Sequence, residues 1–180
     1  WVKTSSSEAG YLVTRSSTTF ALRLDDGGTV RFRTVLEDHP DDGPISAIST
    51  TAINDNQWHY ITGVWDGPNK EGRIYVDGKL EATDTSSTSD DILKDDGDLY
   101  VGGYSLGSSY PEASLDEVKV YNYVRTQKQI VEDMNAGHPI GGSPVGSQVG
   151  YWKFDEGYGT TTYDASPNEI SGTLGTGSSA

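Results

Sequence analysis

The sequence predicts an all-β fold, a two-sheet antiparallel jelly-roll sandwich carrying one short helix. Three observations lead there. Short runs alternate apolar and polar residues with the two-residue period of a half-buried strand. Turn formers punctuate these runs: 22 glycines and 7 prolines in 180 residues make about 16% of the chain, against a roughly 12% average. Helical stretches between the runs are missing, which argues against parallel βαβ units.

The elements follow in order. Tyr11 to Arg15 and Thr19 to Leu24 alternate, Asp25-Asp26-Gly27-Gly28 turns the chain, and Thr29 to Leu36 resumes with Val30, Phe32 and Thr34 on one face, which is a hairpin. Glu37 to Pro44 is an acidic loop. Gln57 to Trp65 carries large residues on both faces, as a central strand covered on each side does. Arg73 to Val76 and Lys79 to Ala82 flank Asp77-Gly78, a strong signal for a tight hairpin turn. Asp84 to Asp98 reads as loop, and Leu99 to Gly103 and Leu115 to Val124 as strands.

The helix is predicted near 127–135. Thr126-Gln127-Lys128-Gln129 fits a capping box, Ile130, Val131 and Met134 supply the apolar stripe, and Gly137 with Pro139 stops it. Residues 139–148 have a linker's composition, residues 149–174 form a last ordered piece, and the tail from Gly175 is expected to fray.

Composition excludes several classes. The net charge is −14, which repels phosphate, so neither nucleic acid nor an anionic membrane surface is an expected partner. No apolar run approaches the roughly 20 residues that span a bilayer, so membrane insertion is not expected. There are no cysteines, hence no disulfide frame, thiolate metal site or cysteine nucleophile. The chain opens on Trp1 without a start methionine, which reads as a processed product or a window on a longer chain. His39, His59 and His138 lack zinc spacing, and nucleophile-elbow, phosphate-loop and dinucleotide motifs have no match in context.

Four motifs in order, WHYITGVWDG, RIYVDGKL, LYVGG and LDEVKVYNYV followed by a short helix, resemble the laminin-G-like, concanavalin A-like jelly-roll family over Trp1 to about His138. The terminal GYWKFDEGYGTTTYDASPNEISGTL is similar to the opening strand of such a domain and its D-x-S-x-N turn. The family order therefore reads as middle and end first, beginning last. Three organisations fit a jelly roll over 1–138, a linker over 139–148 and a first-strand segment over 149–180. The segment closes the same sandwich, closes that of a neighbouring subunit, or starts a next repeat. Closing a neighbour's sheet would make residues 149–156 a site of self-association and the chain a filament former.

The resemblance implies a non-catalytic extracellular or cell-surface module for recognition or adhesion, binding a glycan or a protein surface. The alternative is a structural repeat of a filament or surface layer built by strand exchange. A glucanase is disfavoured, because the E-x-D-x-x-E strand of related hydrolases is absent. The family also implies a structural Ca²⁺. Alternation puts Asp116 on the face of Val118 and Val120, and Glu156 on the face of Trp152 and Phe154. Asp164 and Asn168 add oxygens in a turn, so Asp116, Glu156, Asp164 and Asn168 are the candidate ligands. The alternative is that Asp116 caps an amide, Glu156 meets a basic residue and Asp164 makes an Asx-turn. Asp25-Asp26, Asp38 to Asp42, Asp90-Asp91 and Asp95 to Asp98 read as solvated turns. Trp58 and Trp152 are expected in the core, and the loop aromatics Tyr104, Tyr110 and Tyr158 are the candidate ligand contacts.

Overall fold

Alternating burial along Thr29–Thr34 sends Val30, Phe32 and Thr34 inward and leaves Arg31 and Arg33 on the opposite face, the period that the sequence predicts. The computed structural model describes residues 1–15, 19–35, 45–85, 92, 97–104, 110–136 and 148–175. The loop Glu37 to Pro44, most of Asp84 to Asp98, the helix stop at Gly137 and Pro139, the linker up to residue 147 and the tail beyond Gly175 lie outside them. So do His39 and His138.

The chain divides into two units, Val2–Leu115 and Asp116–Ala180 with Trp1. The first holds β1 (Val2–Thr4), β2 (Gly10–Arg15), β3 (Phe20–Leu24), β4 (Thr29–Thr34), β5 (Ile45–Ala52), β6 (Trp58–His59), β7 (Ile61–Asp66), β8 (Glu71–Val76), β9 (Lys79–Thr85), β10 (Leu99–Val101) and β11 (Ala113–Leu115). They pair as three sheets, ordered β11-β1-β6, β10-β2-β3-β4-β5 and β7-β8-β9, with every ladder antiparallel. Both expected hairpins form. Gly27 and Gly28 adopt φ of 85° and 89° between β3 and β4, and Asp77 and Gly78 adopt 50° and 75° between β8 and β9.

Leu12, Leu24, Val30, Phe32, Ala47, Ile53, Ile74 and Val76 form the core of this unit. Sheet meets sheet without a gap. A methyl group at Gly63 of β7 would overlap the Phe32 ring, and one at Gly72 of β8 would overlap Ile45. Glycine at these two positions lets the β7-β8 backbone approach the five-stranded sheet directly. This is the antiparallel β-sandwich of a jelly roll.

Two expected strands are broken. Gln57 to Trp65 splits at Tyr60, so β6 pairs with β1 while β7 is an end strand of the β7-β8-β9 sheet rather than a central one. The break is fixed by Asp77: its Oδ1 accepts the Tyr60 amide, and its own amide donates to the Tyr60 carbonyl. Trp58 is consequently 43% exposed, not core, whereas Trp152 is buried as expected. Leu115 to Val124 splits at Asp116-Glu117, where Glu117 takes a left-handed φ of 51° that no regular strand accommodates.

The second unit holds β12 (Val118–Tyr121), α1 (Gln127–Ala136), β13 (Gln148–Trp152), β14 (Thr161–Thr162) and β15 (Gly172–Thr173). The capping box forms: Gln129 N–H donates to Thr126 Oγ1 at 3.3 Å, and Thr126 N–H donates to Gln129 Oε1 at 2.9 Å. A buried ion pair the sequence did not reveal, Arg125 with Asp133, ties the helix to the segment before it. Strand β13 pairs antiparallel with β12, Tyr151 facing Lys119. Its other edge is also occupied, because Ala165 N–H donates to the Tyr151 carbonyl and Asn168 Nδ2 to the Val149 carbonyl.

Candidate ligand-binding site

Residues directly opposite in antiparallel strands share a face. Tyr11 faces Arg23, Arg23 faces Arg31, and Arg31 faces Ile48, so one row crosses β2, β3, β4 and β5 on the side away from Phe32. The Arg23 guanidinium lies 5.4 Å from the centre of the Tyr11 ring. At the β10 edge, Gly102 adopts φ of 76° and turns the chain, which puts the Tyr104 ring 5.6 Å from Tyr11 and 6.3 Å from Tyr100. Tyr110 lies against Gly103, where a methyl group would strike its ring, and stays 63% exposed. Three tyrosines thus gather at the β10-β2 end of one sheet, and Tyr110 stands against the glycine that precedes Tyr104.

The charges are arranged around them. Asp25 is buried and accepts Arg31 Nε at 2.7 Å, with Arg31 Nη2 at 2.7 Å and Arg23 Nε at 3.0 Å in ion-pair range. It does not stand in a solvated turn as the sequence suggests. The shared carboxylate offsets part of the repulsion between two facing arginines. Arg31 Nη1 also donates to Ser46 Oγ at 3.2 Å. Such a surface offers aromatic faces and fixed hydrogen-bond donors.

Tyr104 and Tyr110 were legible as loop aromatics. Tyr11, Tyr100, Arg23 and Arg31 were not, because their company depends on cross-strand register. Tyr158 lies in the other unit, beside Glu156 and Tyr163.

The four candidate calcium ligands form no ligand set: among the described residues no three His, Cys, Asp or Glu side chains stand close enough to hold an ion. Asp116 is not on an inward strand face; its Oδ1 accepts the Glu117 amide at the strand break. Glu156 lies beyond β13, after Phe154 turns with φ of 58°, and its Oε1 accepts the Tyr163 amide and the Thr162 hydroxyl. Asp164 is buried and receives Tyr151 N–H and Ser166 N–H at 2.8 Å, Ser166 Oγ at 2.7 Å and Ile170 N–H at 2.9 Å. Burial works to raise its pKa, but these donors outweigh burial and hold it below the usual carboxylate value. Asn168 donates to a carbonyl of β13.

Residues 1–131, which include Tyr11, Tyr100, Tyr104 and Tyr110, match the family model for the concanavalin A-like lectin/glucanases superfamily, laminin G type. Among solved structures, a Bacteroides ovatus protein provisionally named as carbohydrate binding is similar at a TM-score of 0.73 and 19% identity, over 96% of this chain and 49% of that one. The chain thus spans about half the length of that structure. An S-layer domain-containing protein of Clostridium thermocellum is similar at a TM-score of 0.37 and 13% identity, over 74% of this chain and 66% of that one. No curated protein matches.

Proposed function

The chain belongs to the concanavalin A-like lectin/glucanases superfamily, and from that membership we propose that it is a non-catalytic recognition module that binds glycan at the tyrosine cluster of its first unit. The carrying observation is the set of rings around Tyr104, with Tyr11 and Tyr100 packed beside it and Tyr110 exposed next to Gly103. Tyrosine suits this work, since its ring covers the apolar face of a sugar while the phenol stays hydrogen-bonded to water or ligand. The carbohydrate-binding designation of the Bacteroides ovatus relative supports the same ligand class.

We place the module outside the cell or at its surface, where polysaccharides are met. Among the described residues no helix is long and apolar enough to cross a membrane. Assembly by strand exchange is the weaker reading, because β13 already spends both edges on its own chain and would have to release those bonds first.

A glycan array probed with the whole chain tests the assignment. Retention of a defined glycan is expected, and Tyr110→Ala should weaken it by at least about tenfold without unfolding an exposed site. Binding indifferent to Tyr110→Ala and to Tyr104→Ala would place the site elsewhere. Release of reducing ends from a β-glucan would make the chain an enzyme.

A further inference from the structure

The loop from Glu156 to Tyr163 lies beyond the residues that match the family model, and nothing in the tyrosine cluster accounts for it. Tyr158 is 90% exposed and Tyr163 64% exposed. With Glu156 and the threonines at 160 and 161, they line a cleft of about 250 Å³. That is just under the roughly 300 Å³ at which small-molecule sites begin, so it suits one ring better than a chain. Gly157 and Gly159, with φ of 64° and 93°, flank Tyr158 in the left-handed region. There they hold a turn that a side chain on either would strain.

Glu156 gives the cleft its chemistry. Tyr163 N–H at 2.8 Å and the Thr162 hydroxyl at 3.2 Å both fix Oε1, which leaves Oε2 without a donor from another described residue. A carboxylate anchored by one oxygen offers the lone pairs of the other to two adjacent hydroxyl groups, and the tyrosine rings offer apolar faces. The geometry points to a second sugar site in the terminal segment, in which Glu156 accepts the vicinal hydroxyls of a single pyranose packed on Tyr158. It shares a ligand class with the function proposed above but stands on separate residues.

Amide NMR of the full chain, titrated with the methyl pyranosides of glucose, galactose and mannose, tests it. The Gly157 and Gly159 amides should shift saturably at millimolar concentrations of at least one pyranoside. Tyr158→Ala should weaken that response at least about tenfold, and Glu156→Gln should weaken it while keeping the Tyr163 and Thr162 bonds. Tyr110→Ala should leave it unchanged, so failure here and failure of the tyrosine cluster are told apart. Three results overturn the site: no saturable shift with any of the three sugars, a response that survives Tyr158→Ala, or tighter saturation of the same amides by lysine methyl ester, which would make the cleft a cation site.

Discussion

The carboxylate of Asp164 receives four protein donors, three of them backbone amides from Tyr151, Ser166 and Ile170. A type of residue that sequence reasoning offers to calcium is here the hub of its own turn. Asp164→Ala leaves those amides unpaired in a buried place and should cost about 3 kcal/mol in chemical denaturation. The depressed pKa sets the sign of the pH effect: this stability is present above the usual carboxylate range and is lost as pH falls through the folded value. Glu81 behaves alike. Burial would raise its carboxyl, but bonds from Thr50 and Thr51 outweigh it and bring the pKa down to about 2. With Asp164 filled by protein donors, melting in chelator and in millimolar Ca²⁺ should give one midpoint. A higher midpoint in calcium would restore the ion, because a ligand of the native state must stabilise it.

At the scale of elements, strand identity was legible and strand continuity was not. The hairpins β3-β4 and β8-β9 announce themselves through alternation and through Gly27-Gly28 and Asp77-Gly78, all local signals. The break between β6 and β7 depends on Asp77 reaching back to Tyr60 across 17 residues, which no local pattern encodes. The same holds for the candidate site. Loop position singled out Tyr104 and Tyr110, but the company of Tyr11, Tyr100 and Arg23 follows from register across three strands. His59 at the end of β6 joins the two elements, with Nδ1 2.8 Å from Asp77 Oδ2 and Nε2 3.1 Å from Asp55 Oδ1. Burial lowers its pKa, yet the two carboxylates prevail and raise it above 6.5. A raised pKa gives stability that is complete below the unfolded value and declines as pH rises through the folded one. The loss is expected to be small, because the Asp55 and Asp77 side chains are about half exposed. It should vanish in His59→Gln; an unchanged slope in that variant would assign the titration to another group.

For the whole molecule, packing and function are coupled through where space is left. Gly63 and Gly72 bring the β7-β8 backbone against Phe32 and Ile45, which leaves no room for a ligand between the sheets at those two positions. The proposed binding uses an outer face and its loop, where Tyr11, Tyr100, Tyr104 and Tyr110 stand on a chain of net charge −14. Such a surface discourages polyanions and leaves recognition to rings and hydrogen bonds. The most direct test is an amide NMR titration of the full chain with the oligosaccharide best retained on the array. The account predicts saturable shifts at Gly102, Gly103 and Tyr104 that Tyr104→Ala removes. Saturable binding that leaves those three amides unmoved would contradict it.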